Sequence, residues 1–224
     1  GGRTSCGKQN GEEPRRECVM GTAERRAREF KRREGEILEA AVTLIDAGDW
    51  QTVTIDDIAE KAEVSKGTVY SHFKGKDEVY TRLAFDITQR IVDEIDRIDP
   101  SLDFVTRFKR MLRIHWDVFM ENRALCSLTQ HCESMESSLN LGAAFAAKYK
   151  ALHERLYLAQ RSILEEGIAS GAFPERPIHL MLASAVGAAK GAMQLAGAGV
   201  FPELNSDEYV EYLSDFILNG LSHT

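Results

Sequence analysis

Residues 54–73, TIDDIAEKAEVSKGTVYSHF, constrain this chain more than any other stretch. Thr54 precedes Asp56 and Asp57, a hydroxyl that can cap bare amides followed by acids where the helix dipole favours negative charge. Ile55, Ile58, Ala59 and Ala62 follow at helical spacing, and the small alanines let a second helix cross closely. After a turn at Glu63 and Val64, Ser65 opens a second short helix over 65–73. At about 100° per residue, Val69 and Phe73 share the inward face, Gly67, Thr68 and Ser71 look outward, and Lys66, Tyr70 and His72 flank them. Two short helices of this kind make a helix-turn-helix, whose second helix enters the major groove by its N-terminal end.

That end carries Lys66, Gly67 and Thr68. Gly67 lets backbone approach closely, and Thr68 offers a hydroxyl and a methyl to base edges. Ser71 and His72 complete the outward set. Tyr70 and Lys76 have donors for phosphates, as do the amides near Thr54. Plainer readings stand beside these: Tyr70 as a rim aromatic, His72 as surface cover, Lys76 as a helix starter and Gly67 as a turn glycine.

The net charge of −7 disfavours a nucleic-acid partner only if the charge is spread evenly. It is not. From Glu24 to Arg33 six bases, including Arg25, Arg26 and Arg28, face two acids, whereas beyond Thr81 acids outnumber bases 19 to 14. The basic run reads either as an arm laid on DNA or as a solvated helix face.

The rest of the chain shows no strand pattern and no repeat. Helices are expected over 24–47, 54–62, 65–73, 76–98, 101–120, 124–132, 136–170, 178–196 and 206–221, with Phe30 among the inward residues of the first and Asp99-Pro100 breaking the fourth. The fold class is therefore all-α: a three-helix DNA-binding domain followed by a larger helical domain for ligand binding and dimerisation. We place a disordered extension at 1–21 (Met20 being a candidate native start), the reader at 22–76, the fourth helix over 76–98 as connector, and the effector and dimerisation domain at 77–224.

Small residues four apart, Ala183, Gly187 and Gly191, make a ridge that permits close helix approach. With Tyr209, Tyr212, Leu213 and Phe216 of the last helix, it is the expected homodimer surface. A cavity for a small-molecule effector of unknown class is expected among the central helices, lined by Phe104, Phe108, Met111, His115, Phe119, Phe145 and Tyr149, with His115, Gln130, His131 or Tyr149 orienting the ligand.

Several classes find no support. No apolar run is long enough to span a membrane, and no export signal is recognisable, so the expected location is the cytoplasm. Cys6, Cys18, Cys126 and Cys132 form no disulfide framework. Cys126, His131 and Cys132, with His115 from the preceding helix, lack the tight spacing of a zinc site, so no metal and no cofactor is assigned; a thiol switch between Cys126 and Cys132 stays open. Phosphate-loop, H-E-x-x-H and G-x-S-x-G motifs are missing, so an enzyme is the remote alternative.

Over 37–83, the run ILEAAVTLIDAGDW, the TIDDIAEKAEVSKGTVYSHF segment and a lysine three residues after Phe73 resemble the TetR family of bacterial transcriptional regulators. The resemblance implies phosphate contacts at Tyr70 and Lys76, a backbone contact at Thr54, and base-facing positions at Lys66, Gly67, Thr68 and His72. It further implies a homodimer on palindromic double-stranded operator DNA, pairing through its last two helices, and repression relieved by a small apolar or amphipathic molecule. A constitutive DNA-binding dimer without an inducer is the alternative within that frame.

Overall fold

The structure, a computed structural model of the chain, describes residues 22–135, 142–204 and 206–222. The expected extension at 1–21, with Cys6 and Cys18, and the first residues of the expected helix at 136–170 lie outside the described residues.

The described residues form helices α1 (Thr22–Ala47), α2 (Ile55–Lys61), α3 (Lys66–His72), α4 (Lys76–Ile95), α5 (Phe104–Glu121), α6 (Arg123–Met135), α7 (Ala143–Ala169), α8 (Ile178–Gly197) and α9 (Ser206–Ser222), and no strand among them. The boundaries follow local chemistry. α2 opens with a reciprocal cap in which the Asp57 amide donates to Thr54 Oγ1 at 3.2 Å and the Thr54 amide donates to Asp57 Oδ2 at 2.8 Å. These bonds hold the Asp57 carboxyl below its ordinary range, the Thr54 hydroxyl contributing most and its amide next. Ser65 Oγ accepts from the Thr68 amide at the start of α3. α5 begins at Phe104 rather than at the expected 101, and Asp103 caps it by accepting from the Thr106 amide.

Of the next two endings, α4's departs from expectation and α7's agrees with it. α4 stops at Ile95, before Asp99-Pro100, through amide bonds from Asp96, Arg97 and Ile98 that tighten the last turn. α7 ends where Gly171 takes φ +75° and the Ala172 and Phe173 amides close back on Gly167. Phe173 then folds over Gly167 so closely that a Cβ there would lie 2.3 Å from its ring.

The first core joins Ile37, Ala41 and Ile45 of α1, Ile58 of α2, Val69 and Phe73 around α3, and Val79, Tyr80 and Leu83 of α4. Fully burying side chains of this kind contributes about 1.5–3 kcal/mol each. Leu125, Leu128 and Cys132 of α6 enter the same cluster, so α6 belongs to the reader's core as well as to the helical body. The Tyr80 hydroxyl donates to the Trp50 carbonyl, and burial together with nearby Asp49 and Asp77 pushes its pKa up to about 12. It therefore remains a neutral donor tying α4 to the α1–α2 turn.

The body packs α5, α8 and α9 around Trp116, Phe119, Met193, Val210 and Leu213. α7 closes over α4, α5 and α8. No helix among the described residues is long and apolar enough to cross a membrane.

Candidate nucleic-acid interface and cavity

The recognition helix divides as its spacing requires. Val69 has no exposed surface and Phe73 almost none, while Lys66, Gly67, Tyr70 and Ser71 are exposed and Thr68 is half-buried. Hydroxyls on this face already have local bonds. Ser65 and Thr68 hydroxyls lie 2.8 Å apart, and Ser71 Oγ donates to the Thr68 carbonyl. Ser71 therefore presents lone pairs outward, its proton being used within the helix.

Lys66 is not alone. Its ammonium lies 2.8 Å from one oxygen of Asp56 and 3.0 Å from the other, and this carboxylate raises the lysine pKa. The pair bridges the first turns of α2 and α3. The sequence reading missed it, because a spacing of ten residues across a turn leaves no periodic signal. Asp56 and Asp57 put two carboxylates in the first turn of α2, as their positions after Thr54 predict, and the Thr54 amide is bonded to one of them.

Lys76 is partly occupied too. Its ammonium donates to the carbonyls of Gln51 and Val53 at 2.8 and 2.9 Å and lies over the Tyr80 ring. An ammonium has three protons, so one donor is left after these two bonds. Lys76 thus shapes the α1–α2 turn.

His72 and Phe30 differ more from expectation. Phe30 is 50% exposed and is no core residue; its ring stacks on His72 with centroids 4.0 Å apart. His72 Nδ1 is buried without a hydrogen-bond partner, so the edge bearing Nε2 is the one left for a ligand. Arg25, Arg26 and Arg28 lie on the exposed first turns of α1. Arg32, by contrast, pairs with Glu29 and Glu36, and Arg33 with Glu36.

Between α4, α5, α6, α7 and α8 lies a cavity of about 340 Å³. Of the expected lining residues, Phe108, Met111, His115 and Phe119 are on its wall. Phe104, Phe145 and Tyr149 are not: Phe104 packs edge-on against Phe173, Phe145 sits between Phe85 and the Arg82 guanidinium, and Tyr149 is buried between the rings of Phe145 and His153. The wall instead recruits Ile87 and Ile91 of α4, His153 and Gln160 of α7, and Lys190 of α8. The apolar stripe of α4 could have signalled its pair, since Leu83, Ile87 and Ile91 follow one another at four-residue steps from core to cavity.

The polar candidates near α6 separate. His131 stacks on Trp50 of the reader, and the Gln130 side chain lies outside the described set. Cys126 borders the cavity while Cys132 is buried in the reader core. Six residues turn a helix through about 240°, so the two thiols face different partners and the switch between them is set aside. No cluster of three metal-ligating side chains occurs among the described residues.

On the outer face of α8 and α9, Leu180, Tyr212 and Phe216 are 57, 66 and 61% exposed. A Cβ added at Gly187 or Gly191 would meet nothing within 4 Å, so the small-residue ridge has no partner helix there among the described residues. Leu213 is corrected: it is buried in the body's core, one helix face away from the exposed aromatics. Tyr209 is half-buried and packs edge-on against Trp116, whose indole N–H donates to Ser206.

An all-helical chain with an N-terminal helix-turn-helix on a larger helical body has the architecture of a DNA-binding transcriptional regulator. Residues 37–83 match the model for bacterial regulatory proteins of the tetR family. An uncharacterised HTH-type transcriptional regulator of Bacillus subtilis, YhgD, is 27% identical over 192 residues, covering 83% of this chain and 95% of that protein. The biofilm operon icaADBC negative regulator IcaR of Staphylococcus epidermidis is 23% identical over 118 residues, covering 47% of this chain and 64% of that protein. Among solved structures, FadR of Bacillus halodurans, described as a fatty acid degradation regulator, superposes with a TM-score of 0.66 at 22% identity, covering 85% of this chain and 97% of that one. The chain thus resembles the TetR family, most specifically over residues 37–83.

Proposed function

We propose that the protein is a homodimeric repressor that holds a near-palindromic operator through α3 and releases it when a small apolar or amphipathic molecule enters the central cavity. The observation that carries this reading is the double use of α4 and α6. Each gives one set of side chains to the reader's core and another to the cavity wall: Leu83 against Ile87 and Ile91, Leu125 and Leu128 against Cys126 and Thr129. A ligand that favours a different arrangement of these helices shifts the reader through its differential affinity for the two arrangements.

In this reading Lys66, Gly67, Thr68 and His72 face base edges, while Tyr70, Lys76 and the α2 start near Thr54 contact phosphates. Lys66 exchanges Asp56 for DNA on binding. The exposed Leu180, Tyr212 and Phe216 around the small-residue ridge support pairing of α8 and α9 with those of a second copy. The fourth helix serves as connector between a reader ending near residue 76 and the body after it. IcaR is named a negative regulator, which supports repression here.

Selection from a random duplex library, with the mass of the complex measured, tests the first half. An enriched inverted repeat bound by two chains is expected, and Phe216→Asp should yield monomers with weakened operator binding. Absence of any enriched repeat at moderate salt would sink the assignment. A compound that both stabilises the protein thermally and releases the selected operator tests the second half; a constitutive dimer would give stabilising compounds without release.

A further inference from the structure

The cavity is polar at one end and apolar at the other. Phe108 packs with Leu164 and Leu182, and Met111 with Ile163 and Ile95, closing one end with hydrocarbon. Ten residues back along α7 from Ile163, about 15 Å at helical rise, stands His153, whose Nε2 is buried without a hydrogen-bond partner. A buried nitrogen left unbonded is destabilising unless something supplies its partner. His115 lines the same cavity, and its Nδ1 lies 2.8 Å from the Met111 carbonyl, which makes Nδ1 the donor in that bond. The Thr88 and Thr129 hydroxyls, also on the wall, already donate to the carbonyls of Ala84 and Leu125.

Among the described residues no Asp or Glu lines the cavity, whereas the wall includes two imidazoles and the Lys190 ammonium. A cationic ligand would find no counter-charge, and a wholly apolar one would leave the His153 nitrogen unpaired. The volume of about 340 Å³ holds roughly a dozen non-hydrogen atoms at about 30 Å³ each, the share of a water-sized group. That excludes a nucleotide-bearing thioester from lying wholly inside.

Resting on the reading of this cavity as the effector site, we propose that it takes a medium-chain amphipathic monocarboxylate, the hydrocarbon tail among Phe108, Ile163, Leu164 and Leu182 and the carboxylate on His153. Cys126 and Thr129 of α6, the helix that carries Leu125 and Leu128 into the reader's core, line the same cavity.

Calorimetric titration of the full chain with decanoate, decanol, methyl decanoate, decylamine and decanoyl-coenzyme A tests this. Decanoate should bind at least tenfold more tightly than each of the others. His153→Leu should remove that preference without lowering the thermal midpoint, since it deletes an unpaired buried nitrogen, and His153→Gln, which keeps a donor, should restore part of the preference. Equal or tighter binding of decanol, the ester or the amine overturns the carboxylate assignment while leaving the cavity an effector site. Tighter binding of the thioester overturns the size argument, and a preference retained in His153→Leu overturns the role of that residue. If no probe binds, the proposal falls. Ala189→Phe, which fills the cavity from α8, then tests the underlying reading, because operator release that survives the filling would put the effector elsewhere.

Discussion

In the reader, Ile58, Val69 and Val79 have no exposed surface, and α2 and α3 are both tied at their starts by side-chain caps. In the body, side chains of the same kind meet three fates: Leu213 and Val210 fill a core, Ile91 and Phe108 border empty volume, and Leu180 and Phe216 face outward. The reader spends its apolar residues on one rigid shape. The body leaves some bordering a void or facing outward. The difference shows why a short docking element can be built of seven-residue helices while a cavity needs long ones. A cap fixes a helix locally, whereas a void must be bridged by elements whose packing is secured elsewhere.

The largest expected effect tests this contrast directly. Ile58→Ala removes a fully buried side chain from a filled core and should cost about 2–5 kcal/mol in urea unfolding. Ile91→Ala lies on a wall that already borders a cavity, and should cost about 1 kcal/mol, reflecting partial burial. Similar losses at the two sites would mean that the cavity wall is as tightly packed as the reader, and the comparison would fail.

The next effect lies within the reader, between groups that position and groups that specify. Thr68→Ala should change preference among single-base operator variants by about 1–3 kcal/mol at one position. Tyr70→Phe should weaken every variant alike, since a phosphate-facing hydroxyl carries no sequence information. Affinities measured on a panel of operator variants decide it. A flat profile for Thr68→Ala would leave its hydroxyl with only the Ser65 contact seen in the structure.

Much of the reader was legible because its signals are local. Thr54, Ser65, Val69 and Phe73 each declare their role within four residues, through a cap or a helical face. The cavity was legible only in part. α5 showed Phe108, Met111, His115 and Phe119 on one stripe, but a stripe does not reveal which neighbour it meets. Phe145 and Tyr149 carry the same apolar signal and are used instead against Phe85 and His153. Phe30 misled for a related reason: it keeps the helical period of Ile37 and Ala41, yet α1 extends past the end of the core, where among the described residues His72 is the ring that covers it. Periodicity names a face, and the length of the neighbouring helices decides whether that face is buried. Leu213 and Phe216 make the same point, being three residues apart with opposite exposures.

The smallest effect at physiological salt, and the one that best separates a docking surface from a solvated one, concerns the start of α1. Arg25, Arg26 and Arg28 are exposed there, while Arg32 and Arg33 one to two turns on are held by Glu29 and Glu36. Bases already paired to carboxylates displace few counterions from DNA, so the arm's contribution should come from the first three. Replacing all three by Ala should leave the thermal midpoint and the base-preference profile unchanged. The slope of log affinity against log salt should fall by up to about 2.7, from about 0.9 for each phosphate neutralised. Replacing Arg32 and Arg33 instead should change the slope little. An equal slope for the triple variant and the original chain would make this basic face mere solvation, and confine recognition to α2, α3 and the Lys76 edge.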